Sequence, residues 1–298
     1  MLAAIVGWAL LLPAQPVASN SAPASLGVLE DVPDNDPEKP HTRRVRALFH
    51  FGAGNWTAFP HFPDDERELA ALARRFPRRV LWSVCLGAKP LGTIHGRAAA
   101  RFEHYSEVGL QRPVRAPVPS VGAPDERFSG FDSTPVLRPL AATSVGRCAL
   151  PEAWVKVASP PAELKSRVVA ALPSPEGYAT SGVPTSEWPA TYRGPNGRWI
   201  VEVHREWPDW ADRRVVFIGP GGGLRVATGE PNSHVGRSGK SAALARGSIY
   251  PHLIVDIGDW NDDGRVEVLT KFEMYDLDGY ILLTGDGEPL ATFDWFYH

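Results

Sequence analysis

The sequence predicts an α+β fold that is mainly β, with antiparallel sheets, two short helices and long Pro/Gly-rich loops. Three observations lead there. From Trp188 onward the chain is dominated by β-branched and aromatic runs such as Trp199 to His204 and Arg214 to Ile218. Only two stretches place apolar residues at helical spacing. The 28 Gly and 29 Pro follow no triplet period, so collagen is excluded and many turns are required.

The elements follow in order. Leu2 to Leu12 is an apolar run too short to span a bilayer, followed by Pro13, Pro16 and small residues, so residues 1–24 read as a secretory signal peptide. Residues 25–45, with Asp31, Asp34, Asp36 and Glu38, read as a disordered arm. A single β-rich domain is expected over 46–298, closing in a hairpin region that carries a candidate metal loop. Its first helix runs from Pro63 or Asp64 to Phe76, because acids at its start and Arg74 and Arg75 at its end suit the helix dipole and Pro77 stops it. Leu69, Leu72 and Phe76 then share a face.

A hairpin follows, Val80 to Leu86 returning through Leu91 to Ile94. Six prolines between Pro113 and Pro139 make an extended covering loop. The second helix spans Ser159 to Leu172, with Ser159 as N-cap and Leu164, Val168 and Leu172 four apart. Gly219 to Gly223 is a turn. Asp278-Gly279 and Asp286-Gly287 read as tight hairpin turns.

Composition narrows the function classes. The chain has 298 residues with 31 Lys+Arg against 34 Asp+Glu, a formal net charge of −3. Without a long basic run, nucleic acid and an anionic membrane surface are not expected as main partners, and no transmembrane segment is expected in the mature chain. The two cysteines, Cys85 and Cys148, allow either one bridge across about 60 residues or two buried thiols. No CxxC pair or Cys/His cluster supports zinc or thiol redox chemistry.

The strongest chemical signal is Asp256-Ile257-Gly258-Asp259-Trp260-Asn261-Asp262-Asp263-Gly264-Arg265-Val266-Glu267. Asp259, Asn261 and Asp263 occupy loop positions one, three and five. Gly264 allows the turn at six, Arg265 offers its carbonyl at seven, and Glu267 supplies a carboxylate at nine. Calcium takes six to eight oxygen ligands, and this spacing supplies such a set. Thr270 stands where an EF-hand has its bidentate Glu, and both flanks read as strands. Alternation places Val266, Val268, Phe272 and Met274 toward the core and Glu267, Lys271 and Glu273 on the outward face.

The loop resembles the calcium loops of FG-GAP and VCBS-type repeats, in which an apolar strand leads through Gly-Asp into a DxDxDG turn. No second copy is present, so the resemblance implies a single loop rather than a propeller. The ending as a whole, with Asp256, Gly258, Asp259, Asp263, Gly264, Glu267, Gly279, Tyr280, Trp295, Tyr297 and His298, resembles a group of uncharacterised secreted bacterial proteins.

Other motifs lead nowhere. Gly236 to Ser241 mimics the end of a phosphate loop, but His234 stands where the first Gly must turn, so no nucleotide is expected. The nine His residues, His95 and His104 among them, include no HExxH spacing. There is no G-x-S-x-G elbow. Ten Trp residues raise a glycan platform at Trp207 and Trp210, although most Trp lie in strand-like runs that serve a core. The resulting expectation is an exported, non-catalytic protein, secreted or periplasmic, with a structural calcium ion. Its alternatives are a cell-envelope module binding a glycan or a protein, and a secreted hydrolase.

Overall fold

The computed structural model describes residues 24–32, 42–60, 66–115, 138–145, 148–151, 153–172, 183–207, 210–227, 252–273 and 277–296. The expected signal peptide up to residue 23, most of the Pro-rich loop, the phosphate-loop mimic and the Tyr297-His298 end lie outside them. The secondary structure is mainly antiparallel β with two helices, as the sequence predicts.

The first unit is a closed barrel. Strands β1 (Ala24–Val32), β2 (Thr42–Gly52), β3 (Asn55–Ala58), β4 (Arg79–Leu86), β5 (Lys89–Ala98), β6 (Leu110–Arg115) and β7 (Leu140–Thr143) pair in the order β1-β7-β4-β5-β6-β2-β3, and β1 also pairs with β2. Closure removes the free edge that β1 would otherwise present. The Trp82 indole is fully buried and donates to Gln111 Oε1 at 2.8 Å. Gly96 leaves room for this pair, because a Cβ there would meet Gln111 Oε1 and lie 2.7 Å from Trp82 Nε1. Helix α1 (Glu66–Leu72) leads through a turn to Phe76, and Leu69, Leu72 and Phe76 are all buried, as their spacing predicts.

The barrel corrects the expected disordered arm at residues 25–32 and 42–45, which are strand, while 33–41 lie outside the described residues. Leu26, Val28 and Leu29 in β1 are buried and pair with both β2 and β7, so an acidic-looking stretch supplies a strand that closes the ring. Glu30 is buried as well, accepting Arg46 Nε at 2.6 Å and the Tyr280 hydroxyl at 2.5 Å. Of the acids that made the segment look unfolded, Asp31 pairs with Arg43 at 3.0 Å, and Asp34, Asp36 and Glu38 lie outside the described residues.

The second sheet comprises β8 (Val155–Lys156), β9 (Thr185–Arg193), β10 (Trp199–Trp207), β11 (Trp210–Ile218) and β12 (Leu224–Val226). Helix α2 (Ala162–Ala171) packs Leu164 and Val168 against Val201, Val203, Val216 and Ile218 on its outer face. The N-cap is Pro161 rather than Ser159, and it makes no side-chain cap. No described helix is long and apolar enough to cross a membrane.

The third sheet, β13 (His252–Gly258), β14 (Glu267–Glu273), β15 (Leu277–Thr284) and β16 (Pro289–Phe296), is the middle layer. Leu253, Val255, Leu269, Tyr280, Leu282 and Phe293 join the barrel's core, while Ile254, Ile257, Val268, Phe272, Ile281 and Leu283 join that of the five-stranded sheet. Burial on both faces explains near-continuous apolar runs such as Tyr280 to Leu283. It also corrects two expectations. Glu267 does lie opposite Val268, but its face is covered by the barrel and it is 3% exposed. Asp278-Gly279 is strand, paired with Glu273 and Phe272, and not a turn; the Asp286-Gly287 turn is present, with Gly287 at φ 82°.

Cys85 and Cys148 form a disulfide, which resolves the two readings in favour of the bridge. It ties β4 to the segment that runs past the metal loop.

Candidate metal centre

The loop between β13 and β14 folds around its own side chains. Asp259 Oδ1 accepts the Asp263 N–H at 3.0 Å and Asp259 Oδ2 the Gly264 N–H at 2.9 Å. Asn261 Oδ1 accepts the same Asp263 N–H at 3.2 Å, and Asp263 Oδ1 accepts the Arg265 N–H at 2.8 Å. Asp262 and Gly264 both sit at positive φ, 60° and 81°. Glycine reaches that region freely and Asp is among the few other residues that tolerate it, so DDG chemistry fits this bend.

Three of the expected ligands come together. Carboxylate oxygens of Asp259, Asp263 and Glu267 all lie within 4.8 Å of one another. Asn261 is 4% exposed, with Nδ2 3.2 Å from Asp263 Oδ2. Arg265 contributes its N–H to Asp263 and keeps its side chain in solvent. Asp262 is exposed and stays outside the cluster. The set has oxygen donors and neither His nor Cys, which fits a hard cation such as calcium rather than zinc.

Glu267 anchors the cluster to the interior. Its Oε2 accepts the Trp260 N–H at 2.9 Å and its Oε1 faces the Trp56 indole N–H at 3.4 Å. Burial, followed by the charges of Asp263 and Asp259, pushes its carboxyl up to about 8. Burial likewise raises Asp259, against the two backbone N–H groups it accepts. Carboxylates crowded in this way repel one another without a cation.

Three further residues support the site, and two of them, Trp56 and Ala149, carry no sequence signal. Trp56 reaches the site from β3 on the barrel. Ala149, next to Cys148, accepts the Asp259 N–H at 3.1 Å. Asp256, fully inside, accepts the N–H of Ile257 at 2.9 Å and of Ala88 at 3.3 Å, which pins the β4–β5 turn to β13. Each link depends on the packing of distant segments.

Among the described residues the remaining candidates do not form a second centre. Trp207 is buried, with the Arg205 guanidinium 5.1 Å from its ring, so it offers no open platform; the Trp210 side chain lies outside the described residues. His95 and His104 are exposed. No family model, curated protein or solved structure matches this chain.

Proposed function

We propose that Asp259, Asn261, Asp263 and Glu267 hold a structural calcium ion, in an exported protein in which this site secures the middle sheet against the barrel. The observation that carries it is the convergence of three carboxylates within 4.8 Å on a loop whose backbone N–H groups already orient them. The loop resembles FG-GAP and VCBS-type calcium loops, which supports calcium over magnesium, an ion that dehydrates reluctantly and demands octahedral geometry. The apolar run Leu2 to Leu12 supports export. The ion's role is binding energy for the folded state, and the reading assigns no catalysis to the site.

Trp56 and Trp260 lie beside the loop, so terbium offers a direct test: Trp excitation sensitises a bound lanthanide. The proposal expects terbium emission that calcium displaces and that Asp263→Asn abolishes. Emission unchanged in that variant overturns the ligand assignment.

A further inference from the structure

A groove of about 1040 Å³ lies at one end of the barrel, away from the metal loop. Arg74 and Arg78 reach it from the end of α1 and the turn beyond, Arg79 from β4, Arg97 from β5, and Arg101 from the segment after it. All five are exposed, and the floor is alanine, Ala98–Ala100 with Ala73. Among the described residues no acidic one lines it. The one described ion pair at its rim is Arg101 with exposed Glu103, at 2.8 Å. The chain as a whole is acidic, at −3, so this concentration of positive charge does not follow from composition.

The register adds a second observation. Arg79 and Arg97 are direct cross-strand partners. Like charges placed opposite each other destabilise an antiparallel pair. The arrangement costs stability in the isolated protein and gains it when an anion lies across both guanidinium groups.

We propose that this groove binds an acidic polysaccharide, through its sulfate or carboxylate groups. Every charge in it is a guanidinium, whose fork matches an oxyanion with two parallel hydrogen bonds and is held less tightly by water than an ammonium. The other polyanions fit less well. Single-stranded nucleic acid is held by stacking on aromatic side chains, and the groove has none. A concave surface without a projecting helix or ribbon cannot enter a duplex groove. An extended acidic peptide docks by adding to a sheet edge, and β4 and β5 are both flanked on either side in the closed ring. A bilayer surface is broad and flat, and these arginines line a concave groove. The volume matches several sugar rings.

The test is isothermal titration of the full chain, at fixed calcium, with heparin oligosaccharides and separately with oligogalacturonate. These two probes distinguish sulfate from carboxylate recognition. Saturable, salt-sensitive binding of at least one is expected, weakened about tenfold or more in Arg79→Gln/Arg97→Gln and unchanged in Arg193→Gln on β9. Without saccharide the double variant melts at or above the wild type, because the repulsion is relieved; Arg101→Gln, at the exposed rim, gives a milder loss of binding in a fold that is not at risk. The inference is overturned if neither saccharide binds, if the arginine variants bind as the wild type does, or if single-stranded DNA, polyglutamate or anionic vesicles bind more tightly.

Discussion

The Trp56 indole N–H and the Glu267 carboxylate face each other at 3.4 Å although 211 residues separate them, so the barrel and the metal loop share a buried polar contact. Trp56 also packs on Phe51, with ring centroids 5.3 Å apart. Trp56→Phe keeps an aromatic ring there and removes only the donor. A hydrogen bond to a charged acceptor is worth about 1.5 kcal/mol at its weak end, so calcium binding is expected to weaken about tenfold. Titration of the variant checks this. Unchanged affinity would mean that the indole serves packing alone.

The disulfide is the second link between loop and barrel. Its partners are 63 residues apart, and closing a loop of that length is worth about 4 kcal/mol in chain entropy. The double variant Cys85→Ala/Cys148→Ala is expected to lose about that much in a urea titration. Because Ala149 accepts the Asp259 N–H, it should also bind calcium more weakly than the wild type.

Two buried groups on β13 titrate in opposite senses. Burial raises Asp256 from 3.8 to about 6, against the N–H groups of Ile257 and Ala88. Burial and then the Arg214 charge lower His252 from 6.5 to about 4. For Asp256 the unfolded chain gives up its proton first, so its contribution to stability is present below about pH 4 and lost as pH rises to about 6. For His252 the unfolded chain takes up its proton first, so its contribution is present above about pH 6.5 and lost as pH falls to about 4. Each is worth about 3 kcal/mol, and together they offset across that window. Asp256→Asn removes one of them. At saturating calcium the variant's stability is expected to rise by about 3 kcal/mol between pH 4 and 6.5, where the wild type changes far less.

Gly96 is an overpacking test of the barrel interior. A Cβ there runs into Gln111 Oε1 and the Trp82 indole. Gly96→Ala is expected to cost about 1 to 3 kcal/mol, read from the denaturation midpoint, and Gly96→Val more.

Local order was legible where local periodicity decides it. Leu69, Leu72 and Phe76, and again Leu164, Val168 and Leu172, were placed on buried faces by spacing alone. The metal loop was legible for the same reason, since all its carboxylates come from nine consecutive residues. Ring closure was not, because Leu26 pairs with Thr143 through no local pattern, and the acids around it suggested an unfolded arm. The burial of Glu267 was missed because alternation tells which residues share a face but not whether a second layer covers it. The arginine groove was hidden differently. Arg74 reads as helix-dipole compensation in the sequence, and only the β4–β5 register sets Arg79 beside Arg97.

The most direct measurement of the central claim is the melting temperature of the purified protein in calcium and in chelator, with magnesium as control. Calcium at about 100 times its Kd adds about 2.7 kcal/mol to the folded state, which for a chain of this size raises the midpoint by roughly 4 to 5 °C. The rise is expected to be specific to calcium and absent in Asp263→Asn. Equal midpoints in calcium and chelator, or a variant that responds as the wild type does, would contradict a calcium site at Asp259, Asn261, Asp263 and Glu267.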